Sequence, residues 1–390
     1  MTTTAVENPP ASPAPFANAF GTLRPQSAIP LGLGLEVVLV HTDGAQDPAP
    51  GDRLAFLPEA PESVMIEEAG GGNVPVLKAR NLSEMDVFVL AGQLIRGGKQ
   101  NRGINADALV PAKGVIELPV TCVEQGRWSG NTVREPFRAA GIEPSFLRSE
   151  KMRSVHAMKR RSRSEAHVDP VAHHFSADQG AVWASISDFQ RRMDRENASS
   201  DLLCSLDRGV NRNTQEQTKA LRDAWQGASG MLVFLDGEFI SGDVMGCPRW
   251  FQVVREQLLD SALASRELVR VRRGGVDGSD LTEDELIRLI DTQGPGAAEA
   301  LLRRRLQRRE LQAMRGAGAA RRTPVSSDHM ARSILTDAMS GTWAVHRGVG
   351  AERAWQLEHP FLEAAACVSP SGRPLHLLIG TARTPQVFMN

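Results

Sequence analysis

Tyrosine is absent from this 390-residue chain, and with it goes one whole class of catalytic acid. Cysteine is scarce: Cys122, Cys204, Cys247 and Cys367 stand apart, with no Cys-x-x-Cys pair or other ligand-like spacing. That spacing excludes a disulfide scaffold and a zinc ribbon, and it leads to the expectation of reduced thiols in a cytoplasmic protein. No apolar run approaches the roughly 18 to 20 residues that a membrane span needs, and the N-terminus lacks a basic region followed by an apolar one. No membrane partner is expected. The formal net charge of -1 gives no global attraction to nucleic acid, so any electrostatic partner must be sought locally. Also missing are a Walker loop, a dinucleotide fingerprint, a Gly-x-Ser-x-Gly elbow and a His-Glu-x-x-His helix, which argues against the common hydrolases.

What is present is a chain of changing texture. Residues 1–30 are rich in Thr, Ala, Pro and Asn and read as a disordered tail, because so little apolar surface cannot offset the entropy of ordering. Strand-like runs follow at Leu35–Val40, Leu54–Leu57, Val74–Leu77, Asp86–Ala91 and Val115–Val123, separated by Gly, Pro, Asn and Asp. Phe146–Arg163 holds seven cations against Glu150 and reads as a basic, exposed helix or loop. Val182, Ile186, Phe189 and Met193 at helical spacing predict an amphipathic helix over 179–197. Met231–Ile240 is a hairpin with an Asp236-Gly237 turn, and Phe251, Val254, Leu258 and Leu259 mark another core-facing helix to about Ala264. Ser327-Asp328-His329 reads as a helix cap, and Leu362–Val368 and Leu375–Ile379 as strands returning to the first sheet.

The expected fold is α+β: an N-terminal β-sandwich-like sheet completed by C-terminal strands, covered by helices. The core domain spans 31–264 with 324–390. Residues 265–323 form a basic helical insertion, with a capping box at Thr282–Glu285 and eight arginines against Glu310 between Leu301 and Arg322. Those arginines suit contact with a protein or nucleic acid, or simply a solvated face; no aromatics are interleaved among them.

The density of special residues between Asn81 and Trp128 marks the candidate site. After the strand Val87–Ala91, Gly97-Gly98 permits a turn whose backbone N–H groups can cradle an anion, with Arg96, Lys99 and Arg102 as charged donors. The alternative is a hairpin whose polar tip is merely solvated. On the next strand Cys122 and Glu124 share a face. Cys122 is a candidate nucleophile, although a nearby carboxylate would raise its pKa and a buried cysteine is more often plain packing. Glu124 is the better candidate acid/base, Gln100 fixes polar groups, and Arg127 with Trp128 offers a cation beside a stacking surface. A salt bridge and a core tryptophan are the alternative there. His167, His173 and His174 lack an established metal spacing, so no metal is assigned, and no cofactor is identified.

The strand followed by Gly92-Gln93, Arg96-Gly97-Gly98-Lys99-Gln100-Asn101-Arg102 and Pro119-Val120-x-Cys122-Val123-Glu124-Gln125-Gly126-Arg127-Trp128 resembles the ARG and rhodanese-phosphatase-superfamily-associated protein domain family. The similarity extends to Gln179–Trp183 and Gly242–Ser261 and resumes at about Gly341–Leu378, leaving Ser265–Thr323 outside. The family's name records association with ADP-ribosylglycohydrolases and NAD and ADP-ribose metabolism. The resemblance implies a small-molecule binding or processing domain for a phosphorylated nucleotide and, if there is turnover, hydrolysis. The chain departs from the motif at Gln93, where a glutamate is expected. An amide there cannot act as a base. The rival expectation is a non-enzymatic interaction module working through its arginine-rich insertion.

Overall fold

An unbroken apolar run such as Val37-Val38-Leu39-Val40 can form a strand only if both of its faces are covered. The computed structural model, which describes residues 20–44, 53–69, 75–126, 135–162, 174–207, 218–272 and 326–388, covers both. Val37 and Leu39 face one core with Phe251, Val254 and Leu258. Val38 and Val40 face a second core with Ala331, Ile334, Leu335 and Trp343.

The chain opens with β1 (Thr22–Pro25), β2 (Ile29–Pro30) and β3 (Leu35–Asp43), then β4 (Leu54–Phe56), β5 (Val64–Glu68), β6 (Val76–Asn81) and β7 (Asp86–Val89). There follow β8 (Gln93–Arg96), β9 (Arg102–Ile104), β10 (Ala108–Val110), β11 (Val115–Cys122) and β12 (Arg138–Ile142). Helices α1 (Ser145–Ser162), α2 (Gln179–Arg192), α3 (Leu202–Asp207) and α4 (Lys219–Ala224) lead to the hairpin β13 (Gly230–Leu235) and β14 (Glu238–Met245), then to α5 (Pro248–Arg272). Helix α6 (Ser327–Ser340) and strands β15 (Thr342–Arg347), β16 (Arg353–Glu358), β17 (Leu362–Val368) and β18 (Pro374–Thr381) complete the described chain.

The fold is α+β. A nine-stranded sheet runs β1-β3-β13-β14-β18-β17-β16-β15, with β2 on the flank of β3, so both ends of the chain build it. The returning strands join the first sheet, as expected from Leu362–Val368 and Leu375–Ile379. Residues 64–142 supply a separate six-stranded sheet, β12-β8-β9-β11-β6-β5, and β10-β7-β4 form a small third one. The Asp236-Gly237 hairpin turn is present, with both residues at positive φ. Ser326, one residue before the expected cap, accepts from the His329 N–H at the start of α6. No helix of the described residues is long and apolar enough to cross a membrane.

Two expectations need correction. The tail does not reach Pro30: Phe20 is buried in the second core and Thr22–Pro25 pairs with Val40–Asp43, so backbone bonds and one aromatic ring hold this segment; residues 1–19 lie outside those described. The basic stretch from Phe146 is not an exposed element. It is α1, which lies between the two larger sheets, with Arg148, Ser149, Lys151, His156 and Lys159 buried beside Leu147, Met152 and Val155. Its cations are tolerated there because acids from several elements meet them: Arg148 forks onto Asp243 of β14 at 2.6 and 2.9 Å, and Lys151 meets Glu143 at 2.8 Å. Helix α5 carries on from Ala264 to Arg272; the rest of the proposed insertion, including Thr282–Glu285 and Leu301–Arg322, lies outside the described residues.

Removing Arg148 takes the forked partner from the buried Asp243 carboxylate and leaves it His376. Arg148→Met is expected to cost about 3 to 5 kcal/mol of unfolding free energy. Arg148→Met with Asp243→Leu is expected to recover much of it. Chemical denaturation of both variants checks this, and a loss below about 1 kcal/mol would put the pair on a par with a surface salt bridge.

Candidate functional site

The glycine turn forms as the sequence predicts, with Gly97 and Gly98 at φ 124° and 56°. Its donors are turned inward. The Gly97 N–H donates to Asn101 Oδ1 at 2.9 Å, the Gly98 N–H to the Glu135 carbonyl at 2.9 Å, and the Lys99 N–H to Glu68 Oε1 at 3.0 Å. Arg96 leaves the turn for the surface and pairs with Asp207 at 2.6 Å. Arg102 and Cys122 are register partners on β9 and β11, so the two clusters of the motif do meet. The Cys122 thiol donates to Gln100 Oε1 at 3.2 Å, and Glu124 Oε2 accepts from the Asn101 N–H at 3.1 Å. Arg102 is fully buried, its Nη2 3.9 Å from Glu68. Burial pushes the Cys122 thiol above its ordinary pKa, with Arg102 opposing, which keeps it protonated near neutrality. Arg127 and Trp128 lie outside the described residues. Gln93 is buried and donates to the Gly141 carbonyl at 2.5 Å, a bond that an ionised glutamate could not make.

On the other side of β9 lies a second concentration of charge. A cavity of about 50 Å³ is enclosed by α1, the loops around Asp107 and Glu143, and strands β16 to β18. At that size it holds on the order of three or four waters, or one small polar group. Its wall carries Asp107, Glu143, Arg148, Lys151, His156 and Glu352. Lys151 Nζ donates to Glu143 Oε1 at 2.8 Å and to the Ile104 carbonyl at 3.1 Å. Glu143 Oε2 is buried with no hydrogen-bond partner among the described residues. His376 stands behind this wall, its Nδ1 2.8 Å from Asp107 and its Nε2 3.1 Å from Asp243. At the far end His156 Nδ1 meets Glu363 at 2.5 Å, and Arg160 reaches the same carboxylate at 3.1 Å. Glu352 accepts from the N–H groups of Leu109, Val349 and Gly350.

Burial acts on the two members of the cavity pair in opposite directions. It raises the Glu143 carboxyl and lowers the Lys151 ammonium, each against the pull of its partner, so the energy separating the charged and neutral forms of the pair shrinks. The deeper chain behaves differently. Burial would strip the His376 proton, but Asp107 and then Asp243 outweigh it and hold the imidazolium up to about 9. Burial would likewise raise Asp243; Arg148 and His376 outweigh it and hold the carboxyl well below the usual range.

The sequence model of the ARG and Rhodanese-Phosphatase-superfamily-associated Protein domain family matches residues 32–276. The chain belongs to this family. No curated protein and no solved structure matches it. Within this family match, the segments carrying the resemblance acquire physical roles. Gln179 clamps the Cys122 backbone, accepting from its N–H at 2.8 Å and donating to its carbonyl at 2.9 Å. Gly242–Ser261 brings Asp243 to Arg148, and Ser261 to the Glu143 carbonyl at 2.6 Å. Gly103, next to Arg102 in the motif, is required by close approach: a Cβ there would sit 1.8 Å from Glu143 Oε1 and 2.9 Å from Lys151 Nζ. Among the described residues no three His, Cys, Asp or Glu side chains are grouped so as to hold a metal.

Reading charge as exposure missed Arg148, Lys151 and their partners Glu143 and Asp243. The available signal was positional: Arg148, Lys151, Val155 and Lys159 recur at three- and four-residue intervals beside Leu147 and Met152, so cations and apolar residues share one stripe of the helix. Glu352, Glu363 and His376 lie beyond the family match and carried no motif.

Two outcomes follow from these contacts. Gly103→Ala is expected to lower the unfolding midpoint by several degrees, because Glu143 and Lys151 must part to admit the methyl; Glu143→Ala in the same chain should restore part of the loss, and thermal unfolding reads both. For His376 the folded pKa is raised, so its stabilising contribution is complete below the unfolded value of about 6.5 and is lost as pH rises toward about 9. The unfolding free energy is expected to fall across that window in the wild type, and His376→Gln is expected to flatten that fall.

Proposed function

We propose that this domain binds and processes a small polar molecule at the cavity under α1, with Glu143 and Lys151 as its proton-transfer pair. The observation that carries the reading is the state of Glu143: fully buried at the cavity wall, tied through one oxygen to Lys151, and without a partner for the other. An unsatisfied buried carboxylate oxygen is costly in a core and useful in a site, where water or substrate satisfies it. In hydrolysis, Glu143 takes the proton of the attacking water as its oxygen bonds to the substrate, while Lys151 gives a proton to the departing oxygen. The proton then crosses the 2.8 Å bond from Glu143 back to Lys151, restoring both groups.

The substrate class we propose is a phosphorylated nucleotide such as ADP-ribose or NAD. The support is the association written in the family's name, which is context and not chemistry. Only the reacting end of such a molecule enters a cavity of about 50 Å³; its remainder lies toward solvent. The four free cysteines support a cytoplasmic setting.

Thermal unfolding and product analysis with ADP-ribose and NAD test this. A nucleotide that binds the native state raises the midpoint. Glu143→Gln is expected to keep that rise and to lose roughly 100-fold or more in turnover, the usual worth of a general base. Absence of any midpoint shift at millimolar nucleotide overturns the substrate class, and unchanged turnover in Glu143→Gln overturns the site. Because Glu143→Gln leaves Lys151 buried without a carboxylate, the joint change Glu143→Gln, Lys151→Met serves as a second, charge-free variant with the same expected loss.

A further inference from the structure

A larger cavity, about 300 Å³, lies on the outer side of β8 and β12, between α3 and α5. Its floor is apolar: Leu94, Ile142, Leu203, Leu206 and Leu263. Several charged groups also line it, and most are already engaged. Asp207 holds Arg96 at 2.6 Å. Arg195 donates to the Ser205 carbonyl at 3.1 Å. Arg266 donates to the Leu31 carbonyl at 2.8 Å and meets Glu267 at 3.4 Å.

Two acceptors on α5 are left over. The Asp260 carboxylate, exposed to solvent at the cavity rim, makes no hydrogen bond or ion pair among the described residues, and Gln257 Oε1 is buried with no hydrogen-bond partner among them. They stand three residues apart, on neighbouring turns of one helix face. Arg222, whose charge acts on Asp260, is forked onto Glu256 at 2.9 and 3.1 Å. Partial burial, with Glu256 adding to it and Arg222 opposing, raises the Asp260 carboxyl above its ordinary value.

We propose that this cavity is a second ligand site, separate from the Glu143 cavity, for a small organic ammonium with an apolar body. The ammonium bonds to Asp260 and the Gln257 carbonyl, and the body covers the leucine floor. An ammonium supplies three donors and no acceptor, which suits both the Asp260 carboxylate and the unpaired Gln257 oxygen. A pocket of this volume is at the lower end of the small-molecule range.

Calorimetric titration of the full chain with phenethylammonium tests this, with phenethyl alcohol and phenylpropionate as the neutral and anionic counterparts. Saturable binding of the ammonium alone is expected, weakened about tenfold or more by Asp260→Asn. Gln257→Leu is expected to weaken it less, and Glu143→Gln to leave it unchanged. The proposal is overturned if the ammonium does not bind at millimolar concentration, if the alcohol binds equally well, or if Asp260→Asn binds as the wild type does. Loss of binding in Glu143→Gln would move the ammonium to the other cavity and overturn it too. None of these outcomes bears on nucleotide turnover, so the two sites fail independently.

Discussion

A helix of high positive charge is held between two sheets, and the rest of the structure is arranged to make that possible. Arg148 finds Asp243 on the nine-stranded sheet, Lys151 finds Glu143 on the approach to its own helix, and His156 finds Glu363 on β17. The first and last of these pairs join elements distant in sequence, and an unpaired ion in such a layer would cost several kcal/mol. Packing geometry follows the same demand. Gly92 approaches Arg148 and Gly103 approaches Glu143 so closely that an added Cβ at either would overlap the charged group. Gly92 and Gly103 therefore serve as clearances for buried ions.

The molecule's two polar centres differ in what surrounds their open groups: only the second lines a cavity under α1. Around Gly97-Gly98 the backbone donors already have protein acceptors, and Asn101 links the turn, Glu124 and Asp201, while Arg102 Nε and Nη2 and Glu68 Oε2 are buried with no hydrogen-bond partner among the described residues. Such a network fixes β8, β9 and β11 against one another. Beneath α1 Glu143 lines the cavity, and one of its carboxylate oxygens has no partner among the described residues. Chemistry needs an open valence of this kind.

The motif's location was legible and its wiring was not. From Cys122, Glu124 and Arg102 one could read that two clusters were near in sequence; whether they touched depended on the β9–β11 register, which pairs Cys122 with Arg102. Leu35–Val40 and the Asp236-Gly237 hairpin were readable because hydrophobic runs and turn glycines are local signals. Short strands such as β9, β10, β15 and β16 carried no comparable signal, being specified by their neighbours. The basic helix was misread because cations are usually solvated, and its acids, Asp243 and Glu363, stand about a hundred or two hundred residues away along the chain.

By itself the sequence determined the α+β class, the family, the segment Asn81–Trp128 as the motif-bearing one, and the return of the last strands to the first sheet. Those features rest on periodicity, turn chemistry and residue pattern, all of which act over short stretches. Tertiary structure alone decided that the glycine turn closes on its own donors, that α1 is buried, and that Glu143, Lys151 and Arg148 converge around one cavity with His376 behind its wall. Charge pairing across sheets depends on distance in space, and no spacing along the chain encodes it.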